Sequence, residues 1–148
     1  MHDLVEQLLQ QQNECTLSWV KSDNSPAATI VSFVWAEQSL WMTALVDSPR
    51  VRALLRRPRA VVTVSGKGTM LGESRCVSIQ GRCVVRHEQE IRDWFFPAFA
   101  AAVLPASPKG QLMMTGAMQS PENLVLQFWP DRYIPFDNHA LMRAANRL

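Results

Sequence analysis

A mainly β fold with small flanking helices follows from three features of this 148-residue sequence. Six segments, 15–20, 27–35, 40–46, 60–65, 76–85 and 123–129, carry the two-residue alternation or the β-branched and aromatic enrichment of strands. Most of them are joined by connections too short for the crossovers of a parallel sheet, which predicts antiparallel pairing. Strands this short and this numerous form a barrel or a sandwich, not a βαβ layer. No internal repeat, low-complexity tract or linker divides the chain, so one domain over residues 1–148 is expected.

Each element has a local reason. Asp3 and Glu6 stand in capping-box positions, with Leu4, Val5, Leu8 and Leu9 at helical spacing behind them; this predicts a short amphipathic helix ending near Asn13. In 15–20, Leu17 and Trp19 share a face, and Asp23-Asn24-Ser25-Pro26 is turn chemistry. The strand 27–35 is expected to turn at Ala36-Glu37-Gln38-Ser39 into a hairpin with 40–46. Ser48 suits a helix N-cap and Pro49 the first helical position; Val51, Leu54 and Leu55 give an apolar side, and Pro58 stops the helix. An apolar strand at 60–65 is followed by a loop at 66–74 holding Gly66, Gly68 and Gly72. In 76–85, Val77, Ile79, Cys83 and Val85 face one way, and Gly81 marks a bulge or a close backbone approach. Residues 87–104 read as a helix kinked or restarted at Pro97 and rich in aromatics from Trp94 to Phe99. Residues 106–120 are expected to be loop. In 123–129, Leu124, Leu126 and Phe128 share a face, and Asp137 is placed to cap a last helix running to about Arg147.

Composition bounds the function. With 47% hydrophobic and 19% charged residues the chain is globular, and a net charge of +2 gives no global field for a polyanionic partner. The positive charge is local: Arg50, Arg52, Arg56, Arg57 and Arg59 fall within ten residues. Cys15, Cys76 and Cys83 are odd in number and form no C-x-x-C pair, which fits reduced thiols. The N-terminal segment lacks a basic leader and an apolar run, and the longest apolar stretch, 94–106, is broken by Pro97 and Pro105. A soluble cytoplasmic protein without membrane contact is therefore expected. No metal site is expected, since His2, His87 and His139 are far apart and show no ligand spacing. Val61 stands where a phosphate loop ending at Gly66-Lys67 needs glycine, and no G-x-S-x-G nucleophile motif occurs. Cys76 reads as a small packing residue of its strand.

The most informative segment is 48–52. Cations in the first turn of a helix oppose the positive end of its dipole, costing about 0.3–1 kcal/mol each. A bound anion reverses that penalty, because free amides and guanidiniums then converge on it. Ser48, Arg50 and Arg52 are thus a candidate phosphate site. The alternative reading is a solvated basic helix.

Several motifs occur in a recognisable order: a turn with proline (DNSP), the strand AATIVSFVW, LWMT, S-P-R-x-x-x-L, RRPRAVVTV and RCVSIQGRC. Together, from Thr16 to about Trp129, they resemble the FMN-binding split β-barrel family related to pyridoxamine 5'-phosphate oxidase. The resemblance implies a six-stranded antiparallel Greek-key split barrel and a homodimer with the flavin nucleotide between subunits. It also implies that Arg50, with Ser48 beside it, holds the FMN phosphate, and that Met42 and Thr43 lie at the adjoining strand end. Thr29, Ile30 and Val31 would follow the isoalloxazine ring, Arg75 would begin the R-x-V strand, and Trp129 would stand near the cofactor. Departures accompany the match. Cys76 replaces the glutamine of the oxidase proper, Ala27 and Ser32 replace basic residues, and PDRYIPFDN lacks the R-L-H-D-R segment that reads substrate.

The resemblance implies a flavin-dependent oxidoreductase acting on a small molecule, with no catalytic residue identified. Related members bind a deazaflavin or haem instead, so a non-catalytic flavin or haem binding or sensing protein is the alternative. Single-strand nucleic-acid binding through the arginine helix and Trp19, Trp35 and Trp41 is the third reading, disfavoured by the near-neutral charge.

Overall fold

The computed structural model describes residues 2–148. The chain runs α1 (Asp3–Gln11), β1 (Glu14–Val20), β2 (Pro26–Ser32), β3 (Val34–Ala36), β4 (Ser39–Leu45), α2 (Pro49–Arg56), β5 (Arg59–Ser65), β6 (Arg75–Arg86), α3 (Gln89–Val103), α4 (Pro108–Met118), β7 (Asn123–Asp137) and α5 (His139–Ala145). All strand pairs are antiparallel, in one curled sheet of order β2-β1-β5-β6-β7-β4-β3. This is the expected split-barrel architecture, with seven strands among the described residues where six were expected.

The seventh strand arises at Phe33. Its backbone N–H donates to Asn13 O at 2.9 Å, and its side chain is buried, so the chain leaves β1 and re-pairs with β4. The expected hairpin therefore shrinks to Val34–Ala36 against Ser39–Trp41, with Glu37 and Gln38 both at positive φ in the tight turn. The rest of β4 pairs with β7. That last strand runs well past the expected Trp129. Gln80 opposes Arg132 and Gly81 opposes Pro130, so Asp131 is an extra residue forming a bulge. Gly81 is required there: a Cβ would meet Trp129 O at 2.1 Å. Beyond Phe128, β7 has no β4 neighbour, and that open edge tolerates Pro135.

The helices bring three corrections. His2 is the N-cap of α1, its Nδ1 accepting from the Leu4 amide at 3.2 Å, where Asp3 was expected. Glu6 instead accepts from Trp35 Nε1. Helix α3 passes through Pro97 unbroken, with the proline on its exposed side and Phe95, Phe96 and Phe99 buried. The expected loop at 106–120 contains α4, started by Ser107, whose hydroxyl accepts from the Gly110 amide at 3.1 Å, and by Pro108 at the first position. Asp137 caps α5 as expected in effect, accepting from the His139 amide at 3.0 Å, although Asn138 is the N-cap residue.

Two apolar layers result. Inside the curl, Leu40, Met42 and Ala44 of β4 and Leu124, Leu126 and Phe128 of β7 pack with Leu17, Val62, Ile79 and α1. On the outer side, Trp41 and Val125 are covered by Phe95, Phe96 and Phe99 of α3, with Met114 and Met118 of α4 against them. Trp94 meets the Trp41 ring edge-on at 5.0 Å. Among the described residues, no helix is long and apolar enough to cross a membrane.

Candidate functional site

The end of β4 leads through a turn, closed by Ser48 N–H donating to Leu45 O at 2.9 Å, into the first turn of α2. Ser48 has the extended backbone of an N-cap, yet its hydroxyl makes no cap hydrogen bond. No acidic residue stands in that first turn. Arg50 folds back over β4, and its Nη2 donates to Thr43 O at 3.3 Å. Thr43 Oγ1 donates to Leu124 O at 2.8 Å, which ties this corner to β7. Burial pulls the Arg50 guanidinium below the usual arginine range.

Among the described residues, Ser48 Oγ and Arg50 Nε are the buried side-chain polar atoms without a partner. A buried donor left unsatisfied costs about 1–3 kcal/mol. Both lie at one helix start, where Pro49 has no N–H, the Val51 and Arg52 amides donate to Ser48 O at 3.1 and 3.4 Å, and the Arg50 amide is left without an intrahelical acceptor. A serine hydroxyl, a guanidinium N–H and a helix N-terminus are the donor set for a phosphate or carboxylate. The residues present fit an anionic group.

The other expected site residues are spread out. Arg52 lies on the opposite side of α2 from Arg50, two residues being about 200° around a helix; its Nη2 donates to Asp47 O at 3.0 Å. Met42 points into the apolar interior and is fully buried, so only its main chain is available. Thr29, Ile30 and Val31 lie on the edge strand β2, Ile30 being 65% exposed. Trp129, 43% exposed, is four residues along β7 from the partner of Thr43, about 13 Å of strand. Arg75 pairs opposite Asp137, twelve residues along β7 from that same point, about 40 Å of strand. Its Nε holds the Asp137 carboxylate at 3.3 Å. Within one chain the structure gathers Thr43, Ser48 and Arg50 and leaves Arg75 far away.

Sequence reasoning missed a polar chain beside Trp129. Gln127 is buried, donates from Nε2 to Ser39 Oγ at 3.0 Å, and accepts from Arg86 Nη1 at 2.7 Å. Arg86 also holds Glu88 at 3.2 Å. This chain borders a groove of about 430 Å³ that includes Trp94 and Trp129. Its signal was legible: Gln127 interrupts an otherwise apolar alternation in LVLQFW. Among the described residues, no three His, Cys, Asp or Glu side chains come together as a metal site.

The sequence profile of the family described as pyridoxamine 5'-phosphate oxidase matches residues 1–123. No curated protein matches the chain. Solved structures share the fold. The conserved hypothetical protein Rv2991 of Mycobacterium tuberculosis superposes with a TM-score of 0.80 at 17% identity, covering 96% of this chain and 88% of that one. A FAD-binding protein of Mesorhizobium loti gives 0.69 at 15% identity, covering 91% and 94%. The haem storage protein HutZ of Vibrio cholerae gives 0.67 at 11% identity, covering 90% and 94%. The profile spans all but the last strand and helix, and the curled antiparallel sheet agrees with it: the chain belongs to the pyridoxamine 5'-phosphate oxidase family.

Proposed function

We propose that this chain binds FMN and acts, as a cytoplasmic homodimer, as a flavin-dependent oxidoreductase on a small molecule. The observation that carries this reading is the pair of buried, unpartnered donors, Ser48 Oγ and Arg50 Nε, at the start of α2. A phosphate accepts from both and removes the cost of leaving them unsatisfied. Bound FMN would supply hydride and electron transfer, and the protein would supply position and electrostatics. Ser48 and the guanidinium and backbone amide of Arg50 hold the phosphate, with Thr43 fixing the strand end beneath it. Thr29, Ile30 and Val31 offer the edge of β2 to the ring, and Met42 contributes main chain. Trp129 borders the groove on the outer side of β4 and β7. Arg75 joins such a site only from a second copy, given its distance along β7. The exposed apolar residues Val20, Ile30, Val84 and Phe136 suit a subunit contact. Arg52 is left out of the phosphate set because its side chain is on the far side of α2.

The deciding experiment is an absorption spectrum of the purified protein, followed by denaturation and identification of what is released. Bound FMN, with reduction by NADH or NADPH and turnover of an acceptor, supports the proposal. Flavin without turnover favours a binding or sensing role, a haem spectrum favours haem, and a deazaflavin changes the cofactor alone. A colourless protein that ignores added FMN overturns it.

A further inference from the structure

On the far side of α2 from Arg50, a groove of about 400 Å³ lies between that helix and the turn joining β1 to β2. Lys21, Arg52, Arg56 and Arg57 line it, together with Trp19. Its cations come from two separate elements. Arg57 Nε donates to Val20 O at 3.2 Å, and Arg52 Nη2 to Asp47 O at 3.0 Å. Two guanidiniums are thus tethered to backbone while most of their N–H donors stay uncommitted. None of the four is ion-paired, the ion pairs among the described residues being Arg75–Asp137 and Arg86–Glu88, although the charge of Lys21 reaches Asp23 and helps hold its carboxyl low. Asp23, in the adjoining turn, is engaged by the amide and hydroxyl of Ser25. Arg52 and Arg56 stand at i and i+4, a like-charge spacing that destabilises a helix by itself.

Freely solvated arginines would carry no tethers and need no concavity. Tethered cations converging on a groove beside an aromatic ring make a site for a multiply charged anion with a flat apolar end. We propose that this groove is a second anion site, separate from Ser48 and Arg50, that takes the di- or triphosphate of a nucleotide with its base against Trp19. Phosphoanhydride oxygens accept from the guanidinium forks and Lys21, and the half-buried Trp19 ring offers a stacking face.

Calorimetric titration of the full-length protein with ADP, tripolyphosphate and adenosine tests this. ADP and tripolyphosphate are expected to compete for one site per chain, and adenosine to bind at least about tenfold more weakly than ADP. Lys21→Glu with Arg56→Glu should weaken ADP about tenfold or more, with the affinity for FMN unchanged. The neutral pair Lys21→Gln with Arg56→Gln should give a smaller loss in the same direction and guards against a folding defect in the reversed pair. Absence of ADP binding at millimolar concentration, or wild-type affinity in both double variants, overturns the proposal. A parallel loss of FMN affinity overturns the separateness of the two sites. Displacement of ADP by a lower concentration of oligothymidylate overturns it in favour of single-strand binding.

Discussion

Replacing Arg50 by methionine should pull ligand affinity and intrinsic stability in opposite directions. Methionine keeps most of the stem volume and removes the guanidinium. The apoprotein loses one long hydrogen bond, Nη2 to Thr43 O at 3.3 Å, and sheds the buried, unpartnered Nε. The first change costs about 0.5–1 kcal/mol and the second returns about 1–3 kcal/mol. The apoprotein is therefore expected to be unchanged or stabilised by up to roughly 2 kcal/mol, a rise of up to about 4–8 °C in Tm for a chain near 150 residues. FMN binding should move the other way. A charge-assisted hydrogen bond to phosphate is worth about 1.5–3 kcal/mol, which weakens Kd roughly 10- to 150-fold. Arg57→Met, which touches only the Val20 carbonyl in the other groove, should change FMN affinity by less than about threefold. Thermal melts of apoprotein, paired with titration of FMN, read both quantities. Equal FMN affinity in the Arg50 and Arg57 variants, or an apoprotein destabilised by Arg50→Met, would refute the reasoning.

Gly81→Ala drives a Cβ to 2.1 Å from Trp129 O and should destabilise by about 1–3 kcal/mol, whereas Gly116→Ala, with open space around it in α4, should stabilise by about 0.5–1 kcal/mol; urea midpoints give both signs. Burial pushes the Cys15 and Cys83 thiols up to about 12, so at pH 8 a thiol reagent should label Cys76 quickly in the native protein and all three only in denaturant. The His139 amide, helped by Arg75, holds the Asp137 carboxyl below the usual aspartate range. A carboxyl with a depressed folded-state pKa contributes stability above its unfolded value and loses it as pH falls through the folded one. Protection of the His139 amide, measured against its intrinsic exchange rate at each pH, should therefore fall as pH drops below about 4, and Asp137→Asn should remove that dependence.

Much of the sheet was readable because its local signals agree. Alternation in β1 and β6 matches the buried faces of those strands, the apolar run at 60–65 is β5, and Ser48-Pro49 with Pro58 brackets α2. What escaped was set by partners distant in sequence. Nothing local in AATIVSFVW says that Phe33 must turn inward and hand the chain from β1 to β4. The last strand was expected to end at Trp129, and the bulge that carries it on through Pro130 belongs jointly to Gly81, 49 residues earlier. Helix α4 has almost no amphipathic pattern, and its start signal, Ser107-Pro108, repeats that of α2. At the site, cations in the first turn of a helix mark Ser48, Arg50 and Arg52, and the fold leaves Ser48 and Arg50 short of acceptors. Charge alone does not separate Arg50 from Arg52, since helix phase assigns them to different sides.

The long final strand has a consequence for how the protein is made. Among the described residues, strand β4, which carries Thr43 and leads into Ser48 and Arg50, pairs as a strand only with the three-residue β3 and with 123–128 of β7. A nascent chain can already assemble β2, β1, β5 and β6, while β4 waits with one edge bare for a segment some eighty residues downstream. Until the ribosome delivers it, the corner at Ser48 and Arg50 has no floor and an apolar strand edge stays open to wrong partners. Translation pausing before residue 123 should thus be the moment of greatest aggregation hazard.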